Sequence, residues 1–304
     1  MNRINELSMQ QLLKEWRKFT NISERVTYPG FYPEDFSEFM KLMEKYKDYV
    51  WVFIDTETTG LDSQLAHVQA TQVAAIAYNA DGFLTQPQEV QGGLFNMKLQ
   101  LEQDTIDFME QEPDEYDPAG RKKTIAQLLD MTQYHDGDIP YSTMDEVCNE
   151  LTEYLNRMKS ASAVNRIIIV AHNAPYDIKI LNELYTRGGI EEPVNYIIDS
   201  IAVIDNYFKA VLHHISKDPG AGDEEDARLI QSITLMSSRG RPYLSSKLGV
   251  LANAFEIKSE NWHEATADVA MTMDVLYQSI QYMIRKGYPS FPDARPKYPY
   301  KVRR

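Results

Sequence analysis

The sequence predicts an α/β fold, a mixed central sheet flanked by helices, with an added helical segment at the N-terminus. Three observations predict it. Residues 50–54 (VWVFI) and 167–171 (IIIVA) are unbroken apolar runs of strand length, the pattern of strands buried on both faces. Three strand-like segments follow one another early in the chain. From there strands alternate with helical patterns, which a mixed sheet covered by helices would produce.

In chain order, residues 1–48 read as helical. Leu7, Leu12, Leu13, Trp16 and Phe19 recur at helical spacing, as do Phe36, Phe39, Met40, Met43 and Tyr46. Pro33, Glu34 and Asp35 resemble a helix start, with proline in the first turn and acids at the positive end of the dipole. This segment is either an accessory pair of helices packed on the core or an arm that docks a protein partner. Strands are expected at 50–55, 69–78 and 92–98, and helices at 100–111 and 144–159. A strand at 166–171 precedes a helix at 176–187, and a strand at 195–199 leads into a helix at 200–212. Helices at about 245–255 and 264–286 close the domain. Residues 287–304 contain four prolines and are basic through Arg295, Lys297, Lys301, Arg303 and Arg304. They are too proline-rich for a helix and are expected to be extended, as a surface strap or a phosphate-binding tail. The expected organisation is 1–48 accessory, 49–286 main domain and 287–304 tail.

The 304 residues suffice for one large domain or two small ones, and 43% hydrophobic content supports a substantial core. The apolar runs are far too short to span a bilayer, and the first residues lack the apolar core of a signal peptide. The single cysteine, Cys148, excludes an intrachain disulfide, fits a reducing cytoplasmic setting and reads as a packed core residue. The balance is acidic, 45 acids against 31 bases for a net charge of −14. Taken alone this opposes nucleic-acid binding, which leaves a basic footprint. The acids are localised, however: one run spans Glu102 to Asp117, and a second group is Asp218, Asp223, Glu224, Glu225 and Asp226. An enzyme that engages only a strand end also needs fewer phosphate contacts than a duplex binder.

The most informative stretch is residues 50–61, VWVFIDTETTGL. Asp55 and Glu57 stand at the carboxyl end of a buried strand, where two like charges are costly unless cations compensate them. They look like half of a site for hard divalent metals. Further along, residues 167–177 (IIIVAHNAPYD) give a second buried strand, a turn and Asp177, and residues 263–268 (HEATAD) place His263 and Asp268 near the start of a long helical pattern. Five residues are about 500° of helical rotation, so those two side chains are offset by roughly 140°. They can flank one point if the helix start abuts the site, or if His263 lies on the loop before it.

DTETTGL, HNAPYD and HEATAD resemble the three exonuclease motifs of the DEDDh family of 3′–5′ exonucleases, from about residue 49 to about residue 285. The five signature positions are Asp55, Glu57, Asp177, His263 and Asp268. Tyr176 stands where the family often has Phe, and either ring would fill an apolar slot. The resemblance implies a ribonuclease H-like fold and release of nucleoside 5′-monophosphates from the 3′ ends of single-stranded DNA or RNA. It implies two ions, Mg²⁺ with Mn²⁺ able to substitute, held by Asp55, Glu57, Asp177 and Asp268, and His263 as general base. Two ions about 4 Å apart can activate water, stabilise the pentacovalent phosphate and neutralise the leaving oxygen. Hard oxygen ligands suit magnesium, and a pKa near neutrality suits His263 to accepting the water's proton.

Neighbouring residues carry further expectations. Thr56, Thr58 and Gly60 lie where the backbone would approach the terminal nucleotide. Leu61 packs against the last base or in the core, and Asn173 ties its turn together or meets substrate. Asp199 ends a strand and reads as a cap on the next helix. In SRGRPYLSSK (238–247), Arg239, Arg241, Tyr243 and Lys247 suit backbone and base contact with a single strand, or form a solvated loop. Two other readings stay open: a non-catalytic interaction module on this fold, and a hydrolase of free nucleotides or short oligonucleotides.

Overall fold

The structure, a computed structural model, describes residues 44–59, 69–79, 81, 86–101, 141–188, 197–217, 222–258 and 264–286. The chain divides into two units, Met1–Pro33 and Glu34–Arg304, and the described residues all belong to the second. Several expectations lie outside the described residues: the N-terminal helices up to residue 43, the helix expected beyond residue 101, the acidic run Glu102–Asp117 and the basic tail.

The sheet contains β1 (Val50–Thr58), β2 (Ala70–Asn79), β3 (Glu89–Leu99), β4 (Tyr141–Ser142), β5 (Ile167–Ala171) and β6 (Ile197–Asp199), in the order β4-β3-β2-β1-β5-β6. β2 runs antiparallel to both β1 and β3, while β1–β5, β5–β6 and β3–β4 are parallel. This is the mixed sheet that the sequence predicts. β2 and β1 form its middle, β5 lies on the other side of β1, and residues Val50 to Ile54 and Ile167 to Ala171 are all buried. A strand buried on both faces needs helices on both, and it has them.

α1 (Met144–Ala161) packs on β3 and on α2 (Ala174–Gly188), which also meets β1. A capping box starts α1: Thr143 Oγ1 accepts from Glu146 N at 3.3 Å and Glu146 Oε2 accepts from Thr143 N at 2.7 Å. Tyr154 then fastens α1 to the sheet by donating to the Gly93 carbonyl at 2.6 Å. Cys148 is buried in α1, the packing role expected for it.

On the other side α7 (Ala265–Arg285) packs on β1 and β2. Beside it runs one continuous helical stretch: α3 (Ser200–Val203), a π turn (Ile204–Phe208) and α4 (Lys209–Lys217). Phe208 in the π turn packs edge-on to Tyr282 of α7, ring centroids 5.3 Å apart. No helix among the described residues is long and apolar enough to cross a membrane.

Three features depart from the sequence reading. β1 continues to Thr58, so both carboxylates belong to the strand itself. Residues 223–226, read as part of an acidic insertion, are the cap and first turn of α5 (Glu224–Ile233). Asp226 is buried there, hydrogen-bonded to the Tyr282 hydroxyl and 2.9 Å from Lys286 Nζ, so these acids dock α5 onto the end of α7. Finally, residues 234–244 form a β-ribbon, β7 (Thr234–Met236) with β8 (Pro242–Leu244), ahead of α6 (Leu248–Ala254).

Candidate active site

The period of a β-strand places Asp55 and Glu57 on one face of β1 and Thr56 and Thr58 on the other. The first pair faces α7, whose first turn carries Asp268. The carboxylates of Asp55, Glu57 and Asp268 converge, with one oxygen from each within 4.8 Å of the others. The second pair faces α2, whose first turn carries Tyr176 and Asp177.

Asp177 is held by a consequence of strand length. β5 pairs with β1 only as far as Phe53↔Val170, so beyond that point the edge of β1 has lost its ladder partner. An unpaired buried N–H is costly. Asp177 Oδ1 accepts the Thr56 N–H at 3.0 Å and the Thr56 hydroxyl at 2.8 Å. Thr56 is therefore buried with both donors engaged by Asp177. One residue earlier, the Tyr176 phenol hydrogen-bonds the Thr58 hydroxyl at 2.5 Å. This corrects the expectation of a ring filling an apolar slot: the hydroxyl reaches the end of β1.

Electrostatics set three of these carboxylates apart. Burial, then Asp177, Glu57 and Asp268, hold the Asp55 carboxyl well above the usual range. Burial and Asp268 push Glu57 up to about 7. Burial pushes Asp177 up to about 7 as well, against the lowering effect of the Thr56 hydrogen bonds. No positive charge among the described residues offsets Asp55 or Glu57. Oxygen donors that cluster this closely and repel one another fit a hard divalent cation.

The turn between β5 and α2 is fixed from the far side. Asp199 caps α3, as its position predicts, through Ile201 N, and the same oxygen accepts Asn173 N at 3.2 Å. Asn173 adopts a left-handed conformation (φ 72°) and leaves its side chain exposed. His172 bridges Ser200 Oγ at 2.9 Å and the Ser246 carbonyl at 2.8 Å, an anchoring role that no local sequence signal reveals. Arg239 and Arg241 lie apart from the carboxylates in sequence, at the exposed tip of the β7–β8 ribbon. His263, Gly60 and Leu61 lie outside the described residues.

No family model and no curated protein matches this sequence. Among solved structures, the chain is similar to Escherichia coli exonuclease I in complex with a dT13 oligonucleotide, at 16% identity and a TM-score of 0.50, over 78% of this chain and 42% of that one. It is also similar to the zinc-bound form of the same exonuclease complexed with single-stranded DNA, at 15% identity and a TM-score of 0.47, over 79% of this chain and 41% of that one. The chain thus spans less than half the length of these neighbours. The first likeness establishes a shared ribonuclease H-like fold.

Proposed function

We propose that this chain is a metal-dependent 3′–5′ exonuclease that releases nucleoside 5′-monophosphates from single-stranded nucleic acid, with DNA slightly favoured over RNA. The observation that carries the reading is the convergence of Asp55, Glu57 and Asp268, with one oxygen from each within 4.8 Å of the others. The fold neighbour is an exonuclease in complex with a dT13 oligonucleotide, which supports the same reading.

Asp55, Glu57, Asp177 and Asp268 would hold two Mg²⁺ ions, with Mn²⁺ able to substitute. Bound there, the ions supply charge neutralisation at the phosphate and acidify the attacking water. Asp55 feels the charges of Asp177, Glu57 and Asp268 together, which suits its carboxylate to a share in holding the ions. Thr56 acts through Asp177, fixing its carboxylate by two hydrogen bonds. His263 takes the proton from the attacking water as general base. Thr58, Gly60, Leu61 and Asn173 surround the terminal nucleotide, and Arg239 and Arg241 meet the strand. The catalytic domain is assigned to 49–286. Residues 1–48 are assigned as an accessory helical segment, which is also where a protein partner would dock, and the setting is cytoplasmic.

The test uses purified full-length protein with 5′-labelled single strands of DNA and RNA of one sequence, in Mg²⁺ or EDTA. The expected result is a ladder shortening from the 3′ end that requires the metal and is lost in His263→Ala. Absence of cleavage with any divalent ion would overturn the reading in favour of a non-catalytic interaction module.

A further inference from the structure

We infer that the β7–β8 ribbon binds the backbone of a single strand away from its 3′ end, so that this chain favours long strands over dinucleotides. The inference rests on the exonuclease reading and extends it to substrate length.

The ribbon is a defined structure. Ser237 N donates to the Arg241 carbonyl at 2.8 Å, Gly240 N to the Ser237 carbonyl at 2.9 Å, and Arg241 N to Ser237 Oγ at 3.0 Å. Gly240 supplies the left-handed residue this tip needs (φ 69°), and Arg239 and Arg241 flank it. Two guanidinium groups thus project from a preorganised turn. Behind them Met236 is 65% exposed and Tyr243 44% exposed.

Charge identifies the occupant. From Thr234 to Lys247 the sequence holds Arg239, Arg241 and Lys247 and no acid, in a chain of net charge −14. Elsewhere Lys209, Arg228, Arg285 and Lys286 each pair with a carboxylate. Arg239, Arg241 and Lys247 have no such partner among the described residues and are exposed. Uncompensated cations beside an exposed aromatic ring match a polyanion that carries flat bases.

The ribbon is also anchored to the carboxylate site. Ser246, at its root, has its carbonyl bonded by His172 Nε2 and its hydroxyl bonded to Lys209 Nζ at 2.8 Å and to Asp205. A carbonyl only accepts, so Nε2 carries the proton and Nδ1 accepts from the Ser200 hydroxyl. His172 belongs to the turn that leads into Asp177, so the ribbon root and that turn form one hydrogen-bonded unit.

The experiment compares wild-type protein with R239A/R241A on a long oligothymidylate and on a thymidine dinucleotide, both in Mg²⁺. The expected result is a loss of about tenfold in kcat/KM on the long strand and a distinctly smaller loss on the dinucleotide. Anisotropy with the labelled long strand in EDTA gives a second readout. The slope of log Kd against log salt should fall by about 1.4 in the double variant, roughly 0.7 per lost phosphate contact. Arg239→Lys with Arg241→Lys should restore that slope, and Tyr243→Ala should weaken binding without changing it. Equal losses on both substrates, or wild-type cleavage and slope in the double variant, would overturn the inference while leaving the exonuclease reading intact. If wild-type protein cleaves neither substrate, the exonuclease reading fails; the salt slope alone then supports the ribbon if it falls in R239A/R241A and overturns it if it does not.

Discussion

One oxygen of Asp177 accepts both the backbone N–H and the hydroxyl of Thr56, at 3.0 and 2.8 Å, at the point where β5 no longer pairs with β1. The carboxylate takes the place of the missing strand and is aimed by it. These bonds favour the ionised form, so they lower a pKa that burial raises. Thr56→Val keeps the N–H bond and removes the hydroxyl. The expected outcome is an upward move of the pH at which kcat/KM is half-maximal, with activity down about tenfold, as for loss of a hydrogen bond to a charged group worth roughly 1.5–3 kcal/mol. Thr56→Ser should behave as wild type. A pH–rate profile on single-stranded DNA checks both.

Metal-free protein should lose stability as pH rises toward neutrality. Unfolded, Glu57 and Asp177 release their protons near the ordinary carboxylate values of 4.5 and 3.8, whereas in the fold both hold them to about 7. The folded state binds more protons across that window, so stability falls with rising pH and levels off above it. Thermal melts in EDTA between about pH 5 and pH 8 should show a declining Tm, a stability loss of several kcal/mol in all. Added Mg²⁺ should restore Tm at the upper end and have little effect at the lower, where protons occupy its ligands. Glu57→Gln should flatten the decline while abolishing cleavage.

Tyr176→Phe removes the phenol that meets Thr58 beside Glu57. The ring stays, so the expected stability change is only about 1 kcal/mol. Activity should fall several-fold through kcat, because the end of β1 loses a brace. Steady-state kinetics together with a melt separate the two effects. Unchanged kcat would make the hydroxyl dispensable.

Lys286 is the cation for the buried Asp226, with Asp223 at 2.6 Å as a second partner. Lys286→Ala leaves Asp226 buried without its charge partner and should cost roughly 3 kcal/mol. Lys286→Ala with Asp226→Asn should recover part of that loss. Urea unfolding measures both, and kcat of the folded fraction should stay near wild type, since the pair docks α5 rather than serving the carboxylate site.

The central sheet and the carboxylates of β1 were legible because their signals are local. VWVFI and IIIVA are apolar without alternation, which only two-sided burial explains, and acidic residues follow each within a few positions. Asp199 was legible as a cap for the same reason. The less legible parts depend on tertiary partners. Asp223–Asp226 looks like a solvated acidic run until Lys286, some sixty residues on, is brought against it. The β7–β8 strands are three residues each, too short for an alternation to register, and their turn reads as a loop because glycine and serine dominate it. Tyr176 could not be told from a packing ring, since only the fold shows that its hydroxyl reaches Thr58.

The most direct test is the product released from a 5′-labelled single-stranded DNA in Mg²⁺ by wild-type protein and by Asp55→Asn, with thermal unfolding of both recorded alongside. The expected result is nucleoside 5′-monophosphates freed from the 3′ end by wild type and at least about a thousandfold loss in the variant, whose fold is intact and, without metal, more stable because one buried like charge is gone. Cleavage by Asp55→Asn at the wild-type rate would contradict the assignment of the carboxylate cluster as the catalytic site.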